Sequence, residues 1–369
     1  MSKKGRILVA MSGGIDSSVA SMMLHEEGYE VIGITMKTWD YASSGTSGKE
    51  TGCCSLDSIN DARSIAVEKG FPHYILDIRG EFGDFVIDNF VDEYLAGRTP
   101  NPCVLCNTHI KWDALIKRAD MLDCEFIATG HYASVRHEHN RYVVSRGLDA
   151  SKDQSYVLWG LSQQNLARTK FPLGNFKKTE IRNMAFDMGF KELANKSESY
   201  EICFVPDNDY RSFLKHRVPG LEEKLDGGYF VNPNGEILGK HKGYPFYTIG
   251  QRKGLEIAFG KPMFVTEIRP ESNTVVLGEL DDLKRHEMKV RGLNLIKYEN
   301  LFNETEALTK IRYKDAGTFS TIKQTDVENA VVSFRAPVNA VAPGQSAVFY
   351  EGNDVLGGGF IDKELYHEN

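Results

Sequence analysis

The chain opens on an alternation of short apolar runs and longer amphipathic ones. Residues 6–11 (RILVAM) form a continuous apolar run closed by Ser12-Gly13-Gly14, the pattern of a buried strand. Residues 17–27 follow with helical spacing, and Gly28 is a natural stop. Residues 31–36 read as a second strand, and 58–69 place Ile59, Ala62, Ile65 and Ala66 on one face of a helix ending at Gly70. A third strand is expected at 73–77 and a third helix at 82–95. Trp112, Leu115, Ile116, Ala119 and Leu122 mark a helix before a strand at 126–129. This rhythm predicts a parallel sheet with helices on both faces, binding its ligands at the carboxyl ends of the strands.

Two stretches interrupt the rhythm. Residues 40–52 are rich in Ser, Gly and Thr and read as a mobile loop, with Cys53-Cys54 as filler opening the next helix. Residues 97–107 (GRTPNPCVLCN) carry two prolines and two cysteines and read as a loop between helices. After about residue 205 short strands with Gly, Pro and Asn turns take over. Asn232-Pro233-Asn234-Gly235, joining two apolar runs, is a strong hairpin signal. Strands of this kind predict a small antiparallel β-barrel or sandwich at the C-terminus, after a smaller linking module. The expected fold class is therefore α/β with three parts: a parallel-sheet domain at 1–207, a central module at 208–280 and a C-terminal barrel at 281–369.

Composition narrows the class. At 369 residues the chain is long enough for two or three domains. Hydrophobic residues at 41% and charged ones at 26% are those of a globular protein, and no run of apolar residues reaches membrane-spanning length. The N-terminus turns polar too soon for a secretory signal. Six cysteines are too sparse for a disulfide scaffold, so a reducing, cytoplasmic setting is expected. With 44 Lys and Arg against 51 Asp and Glu, the net charge of −7 argues against nucleic-acid binding by bulk charge, though a local basic face can hide within it.

The chemistry starts at Ser12-Gly13-Gly14-Ile15-Asp16-Ser17-Ser18, between the first strand and the first helix. Glycines let backbone N–H groups approach phosphate oxygens, hydroxyls add donors, and the helix N-terminus adds its dipole. Asp16 could hold Mg²⁺ on those phosphates, or an Asp or Ser here could simply cap the helix. No Gly-Lys-Ser/Thr follows, so this is not a Walker A loop. SGGxDS in this position resembles the PP-loop of the ATP pyrophosphatase superfamily, which adenylates a carbonyl oxygen and releases pyrophosphate.

The cysteines pose a second question. Cys124 reads as buried filler, whereas Cys103-Val104-Leu105-Cys106 and Cys203 do not. A structural zinc would want a fourth ligand, and no second C-x-x-C exists. Three cysteines could hold a [4Fe–4S] cluster with one open iron, or act as redox and nucleophilic thiols.

GRTPNPxxLCN, ATGHYA at 128–133, KDQSYVL at 152–158, SESYEICFVP and YTIGQRKGL at 247–255 span the chain in one order. Together they identify it as a member of the tRNA-specific 2-thiouridylases, which thiolate the wobble uridine of certain tRNAs. The resemblance implies that ATP is bound by Ala10, Met11, Ser12, Gly13, Gly14, Ile15, Asp16 and Ser17, with Met36 and Gly130 against the nucleotide. It implies a persulfide on Cys203, charged by a sulfur relay, with Cys106 as partner thiol in a transient Cys106–Cys203 disulfide. Asn101, Pro102 and Cys103 fall where the family meets the target base. His131, Lys152, Asp153, Gln154, Arg252, Lys253, Arg312, Tyr313 and Gln345 fall at tRNA-contacting positions. ATP with Mg²⁺, tRNA, a sulfur-donor protein, no membrane and a monomeric state complete the expectation.

This chain departs from the family where many members have Asp and it has Cys103, which puts an acid–base role there in doubt. The same three thiols leave an iron–sulfur route on Cys103, Cys106 and Cys203 as the alternative to the persulfide. Another PP-loop ligase and a non-catalytic tRNA-binding protein are the more distant readings. If tRNA is the substrate, basic residues such as Lys152, Lys242, Arg252, Lys253 and Arg312 must be gathered on one face of an acidic protein.

Overall fold

The computed structural model describes residues 4–39, 55–196, 202–205, 208–225, 227–257 and 260–363. The expected loop at 40–52, the pair Cys53-Cys54 and residues 197–201 lie outside them. The chain divides into two compact units, one of residues 1–86, 103–209 and 353–355, the other of 87–102, 210–352 and 356–369. Among the described residues no helix is long and apolar enough to cross a membrane.

The first unit is built on the expected strands β1 (Arg6–Ala10), β2 (Glu30–Lys37), β3 (His73–Asp77) and β4 (Phe126–Ala128). A hairpin of β5 (Ala133–Glu138) and β6 (Arg141–Arg146) and a two-residue β7 (Thr169–Lys170) follow. The sheet order is β3-β2-β1-β4-β7 with every pair parallel. Ile7 and Val9 of β1 pack with Val19 of helix α1 (Ile15–Glu26) and Ile65 of helix α2 (Leu56–Lys69) in one core. Gly28 at φ 93° and Gly70 at φ 76° terminate the two helices as their positions indicated.

Three features here depart from the sequence pattern. The hairpin β5–β6 turns through His139 and Asn140, both at positive φ, a two-residue turn whose signal is the Asn between polar alternating strands. The helix expected at 82–95 is broken into Arg79–Phe82, a π-helical Gly83–Ile87 and Asp88–Leu95. The segment at 97–107 is not all loop. Pro102 opens a helical turn, Pro102–Leu105, which runs through the π-helical Cys106–Lys111 into the helix Trp112–Met121. Cys103 and Cys106 therefore sit on helical backbone.

The second unit carries two antiparallel-rich sheets. β8 (Gly228–Val231), β9 (Ile237–His241), β10 (Phe264–Arg269) and β11 (Thr274–Gly278) lie in the order β10-β11-β8-β9. The β8–β9 turn is the expected one: Asn232 Oδ1 accepts from the N–H groups of Asn234 and Glu236, and Gly235 takes φ 87°. β12 (Lys284–Leu295), β13 (Thr305–Lys310), β14 (Thr318–Gln324), β15 (Asn329–Asn339), β16 (Ser346–Glu351) and β17 (Asp354–Ile361) form the antiparallel barrel. Their order is β12-β15-β14-β13-β16-β17, closed by pairing β12 with β17 around Met288, Ile322, Val332, Phe349 and Leu356.

Candidate active site

The phosphate loop leaves the carboxyl end of β1. Gly13 stands at φ 69°, and a Cβ there would come within 2.0 Å of the Ser58 carbonyl oxygen, so only glycine lets α2 lie this close. The N-cap of α1 is Gly14, with no side chain bonded to the first-turn N–H groups. The capping alternative for Asp16 and the serines thus fails, and the first-turn donors are left to a ligand. Ser12 and Ser17 are tied to each other: the Ser12 N–H donates to Ser17 Oγ at 3.0 Å and the two hydroxyls lie 3.2 Å apart. Gly130 rests on the loop, where a Cβ would meet Ser17 N at 2.6 Å. Met36 lies at the carboxyl end of β2, beside the strand that feeds the loop.

Asp16 is held by residues remote in sequence. Lys178 Nζ donates to its two carboxylate oxygens at 2.7 and 2.8 Å, and Tyr132 Oη donates to Oδ1 at 2.7 Å. Lys196 Nζ donates to the Gly13 carbonyl at 3.0 Å and to Asp61 at 2.6 Å. Three hydrogen bonds thus engage the Asp16 carboxylate, whose side chain remains 32% exposed. Among the described residues no group of three His, Cys, Asp or Glu is placed to hold a metal ion.

The described cysteines are all free thiols. Cys203 is exposed, while its neighbour Phe204 is buried against Phe82 and Trp39 at ring distances of 5.7 and 6.5 Å, which anchors the turn. Cys106 is buried at the start of the π-helical stretch. Cys103 is open to solvent yet ringed by protein. That enclosure raises its thiol pKa, opposed by the Lys111 cation, so at neutral pH it is a protonated thiol and no general base. His131 lies between Trp112 and Phe171, with Nδ1 2.8 Å from Thr129 Oγ1. Desolvation first, then Lys111, push it down to about 3, so it is a neutral imidazole. Cys124, buried and raised to about 11 by desolvation, is filler as expected.

The remaining positions differ in how they are used. Asp153 accepts from the N–H groups of Gly147 and Ser155, and Gln154 Oε1 accepts from Tyr132 N–H, so both hold the turn that carries half-buried Lys152. Arg252 and Lys253 are exposed on a turn closed by Gln251, whose Nε2 donates to the Lys253 carbonyl at 2.9 Å. Arg312 and Tyr313 are exposed between β13 and β14. Gln345 Nε2 donates to the Thr99 and Pro100 carbonyls at 3.3 and 2.8 Å, and Asn101 Nδ2 donates to Ser346 Oγ at 3.3 Å. Within the second unit the barrel thus holds the segment that leads to Pro102.

Three family models match in succession: "tRNA methyl transferase HUP domain" over 5–207, "tRNA methyl transferase PRC-barrel domain" over 211–279 and "Aminomethyltransferase beta-barrel domain" over 285–361. The tRNA-specific 2-thiouridylase MnmA of Cytophaga hutchinsonii is 68% identical over 362 residues, 98% of each chain. That of Salinibacter ruber is 59% identical over 372 residues, covering 100% of this chain and 97% of its own. The chain belongs to the tRNA-specific 2-thiouridylase family.

For this thiouridylase the iron–sulfur alternative is corrected. Cys103, Cys106 and Cys203 are all described, and the fold does not gather them into a ligand set. Cys103 and Cys106 share one helical stretch, whereas Cys203 is on a separate turn. Three lysines escaped the sequence reading: Lys111, Lys178 and Lys196. Lysine is common on helix surfaces, so nothing local distinguishes these three. Only the burial of Lys178 and the reach of all three to the loop or the thiols set them apart.

Proposed function

We propose that the protein uses ATP to convert the wobble uridine of tRNA to 2-thiouridine. The observation that carries this is 68% identity to a tRNA-specific 2-thiouridylase over nearly the whole chain. The uncapped phosphate loop and the exposed Cys203 support it. A methyl-transfer reading, which the domain descriptions name, has no use for a pyrophosphate-releasing loop beside free thiols.

The C2 oxygen of uridine is a poor leaving group until adenylated. It attacks the α-phosphorus of ATP, N3 loses its proton, and pyrophosphate departs into the N–H donors of Gly13 to Ser17. Mg²⁺ accompanying the ATP phosphates would supply charge neutralisation there. Cys203, open to solvent, accepts the terminal sulfur of a donor protein as a persulfide. That sulfur attacks C2 and AMP leaves. The Cys106 thiolate then takes the inner sulfur, so a Cys106–Cys203 disulfide forms and 2-thiouridine is released; a dithiol reductant restores both thiols. Burial of Cys106 keeps it from solvent oxidants until then. Neutral His131 borders the flipped base, whose uncharged ring it can meet without desolvating a charge. Arg252, Lys253, Arg312 and Tyr313 grip the RNA backbone, their exposure being what phosphate contact needs.

Incubating tRNA with the protein, ATP, Mg²⁺ and a persulfide donor should yield 2-thiouridine on nucleoside analysis. Cys203→Ala should abolish it while pyrophosphate release continues. Absence of 2-thiouridine from the wild type, with thiols verified reduced, overturns the reading.

A further inference from the structure

Asp16 puts a carboxylate into a loop built to receive a polyanion, at the second position of α1. A bare negative charge at that point opposes the phosphates that the uncapped N–H groups attract. The fold answers with Lys178, whose side chain is only 8% exposed and whose Nζ lies 2.7 and 2.8 Å from the two Asp16 oxygens. Tyr132, 2% exposed, donates to Oδ1 from the other strand-end turn and brings its ring within 5.7 Å of the ammonium. The lysine is itself fixed at the backbone: its N–H donates to Asp149 at 2.9 Å, at the first turn of the helix Lys178–Asp187. Asp16 itself is 32% exposed, and a pair that desolvates its lysine adds little stability over apolar packing. An ammonium carried across 162 residues to one loop carboxylate therefore calls for a role beyond stability.

We propose that Lys178 is a positioning residue of the nucleotide site, neutralising Asp16 and, with Tyr132, fixing its carboxylate so that the loop accepts the ATP phosphates. Asp16 is then the partner of a lysine and not a ligand of Mg²⁺. The proposal rests on the ATP-binding half of the function given above, and it concerns phosphate affinity only.

A charge cycle on the full-length protein tests it, with ATP and adenosine affinities measured by calorimetry and Mg²⁺ dependence read from pyrophosphate release. Lys178→Met should weaken ATP by about tenfold or more and leave adenosine within about twofold, because only the phosphates feel the exposed charge. Lys178→Arg should restore most of the ATP affinity. The double variant Asp16→Asn with Lys178→Met should recover ATP binding to within about threefold of wild type, since the loop is neutral again. If Lys178→Met loses its cooperative melt, Lys178→Gln replaces it, keeping a donor to Asp16 without the charge. A double variant no better than Lys178→Met overturns the proposal, as does an equal loss of ATP and adenosine. So does an Asp16→Asn variant whose half-maximal Mg²⁺ concentration rises several-fold. If the variants show this rescue but the wild-type protein makes no 2-thiouridine, the functional reading fails and this one stands.

Discussion

The turn at Gly13 and the turn at Gly254 both hold a glycine near φ 70°, and the molecule treats them in opposite ways. At Gly13 the space for a side chain is filled by the backbone of α2, and Lys196, from 183 residues away, binds the carbonyl. At Gly254 the nearest atoms are the far end of Arg211, at 3.7 Å, and the turn is closed by Gln251 three residues back. A loop that must aim N–H groups at phosphate is over-determined by remote parts of the fold. The turn that exposes Arg252 and Lys253, which we propose to meet the RNA backbone, is closed by side-chain bonds within itself.

Alanine at the two glycines should separate them most. Gly13→Ala is expected to cut pyrophosphate release about a hundredfold or more and to cost about 2–3 kcal/mol in denaturant melts. Gly254→Ala should cost about 1 kcal/mol and leave ATP turnover in place. Equal effects would erase the contrast. Arg252→Ala and Lys253→Ala should each weaken tRNA binding and lower its salt slope by about one, with the KM for ATP unchanged. A changed KM would mean that the second turn also serves the nucleotide.

Acid should probe both units at once. His131 in the first and His241 in the second are buried enough to be pushed down to about 3 and about 4, desolvation leading in each. Their folded values lie below the unfolded one of about 6.5, so the unfolded chain binds protons that the folded chain refuses. Stability is therefore full above about pH 7 and falls as pH drops toward 4; it does not fall as pH rises. His241→Gln should flatten that decline in pH-dependent melts, and an unchanged slope would contradict the buried neutral state. The smallest effect is expected at Cys124→Ala, which should leave thiolation within about twofold and cost about 1 kcal/mol.

Much of the architecture was legible. β1 to β4 and the helices between them follow from apolar runs and helical spacing, because each buries a face against the same sheet and its pattern is complete within a dozen residues. The β8–β9 turn was equally plain, as Asn232 and Gly235 supply the bonds and the φ locally. The hairpin β5–β6 was missed because its strands alternate polar residues, and the helix at 102–121 because Pro102 and the cysteines looked like loop chemistry. The three lysines were invisible for a different reason: their meaning lies in partners over a hundred residues away or on neighbouring turns, not in their own surroundings in sequence.

Residue type and short spacing in the sequence specify the kind of site: a glycine and serine loop at the first strand end, a thiol pair, and basic turns in an acidic chain. Backbone geometry converts these directly into N–H donors, nucleophiles and exposed charge. The tertiary structure alone decided how the site is charged. It gave Asp16 to Lys178 and Tyr132, raised the Cys103 thiol, pushed the His131 imidazole down, and did not gather the three thiols into a ligand set. Charge state depends on burial and on which opposite charge arrives within about 4–6 Å, and neither is written in neighbouring residues.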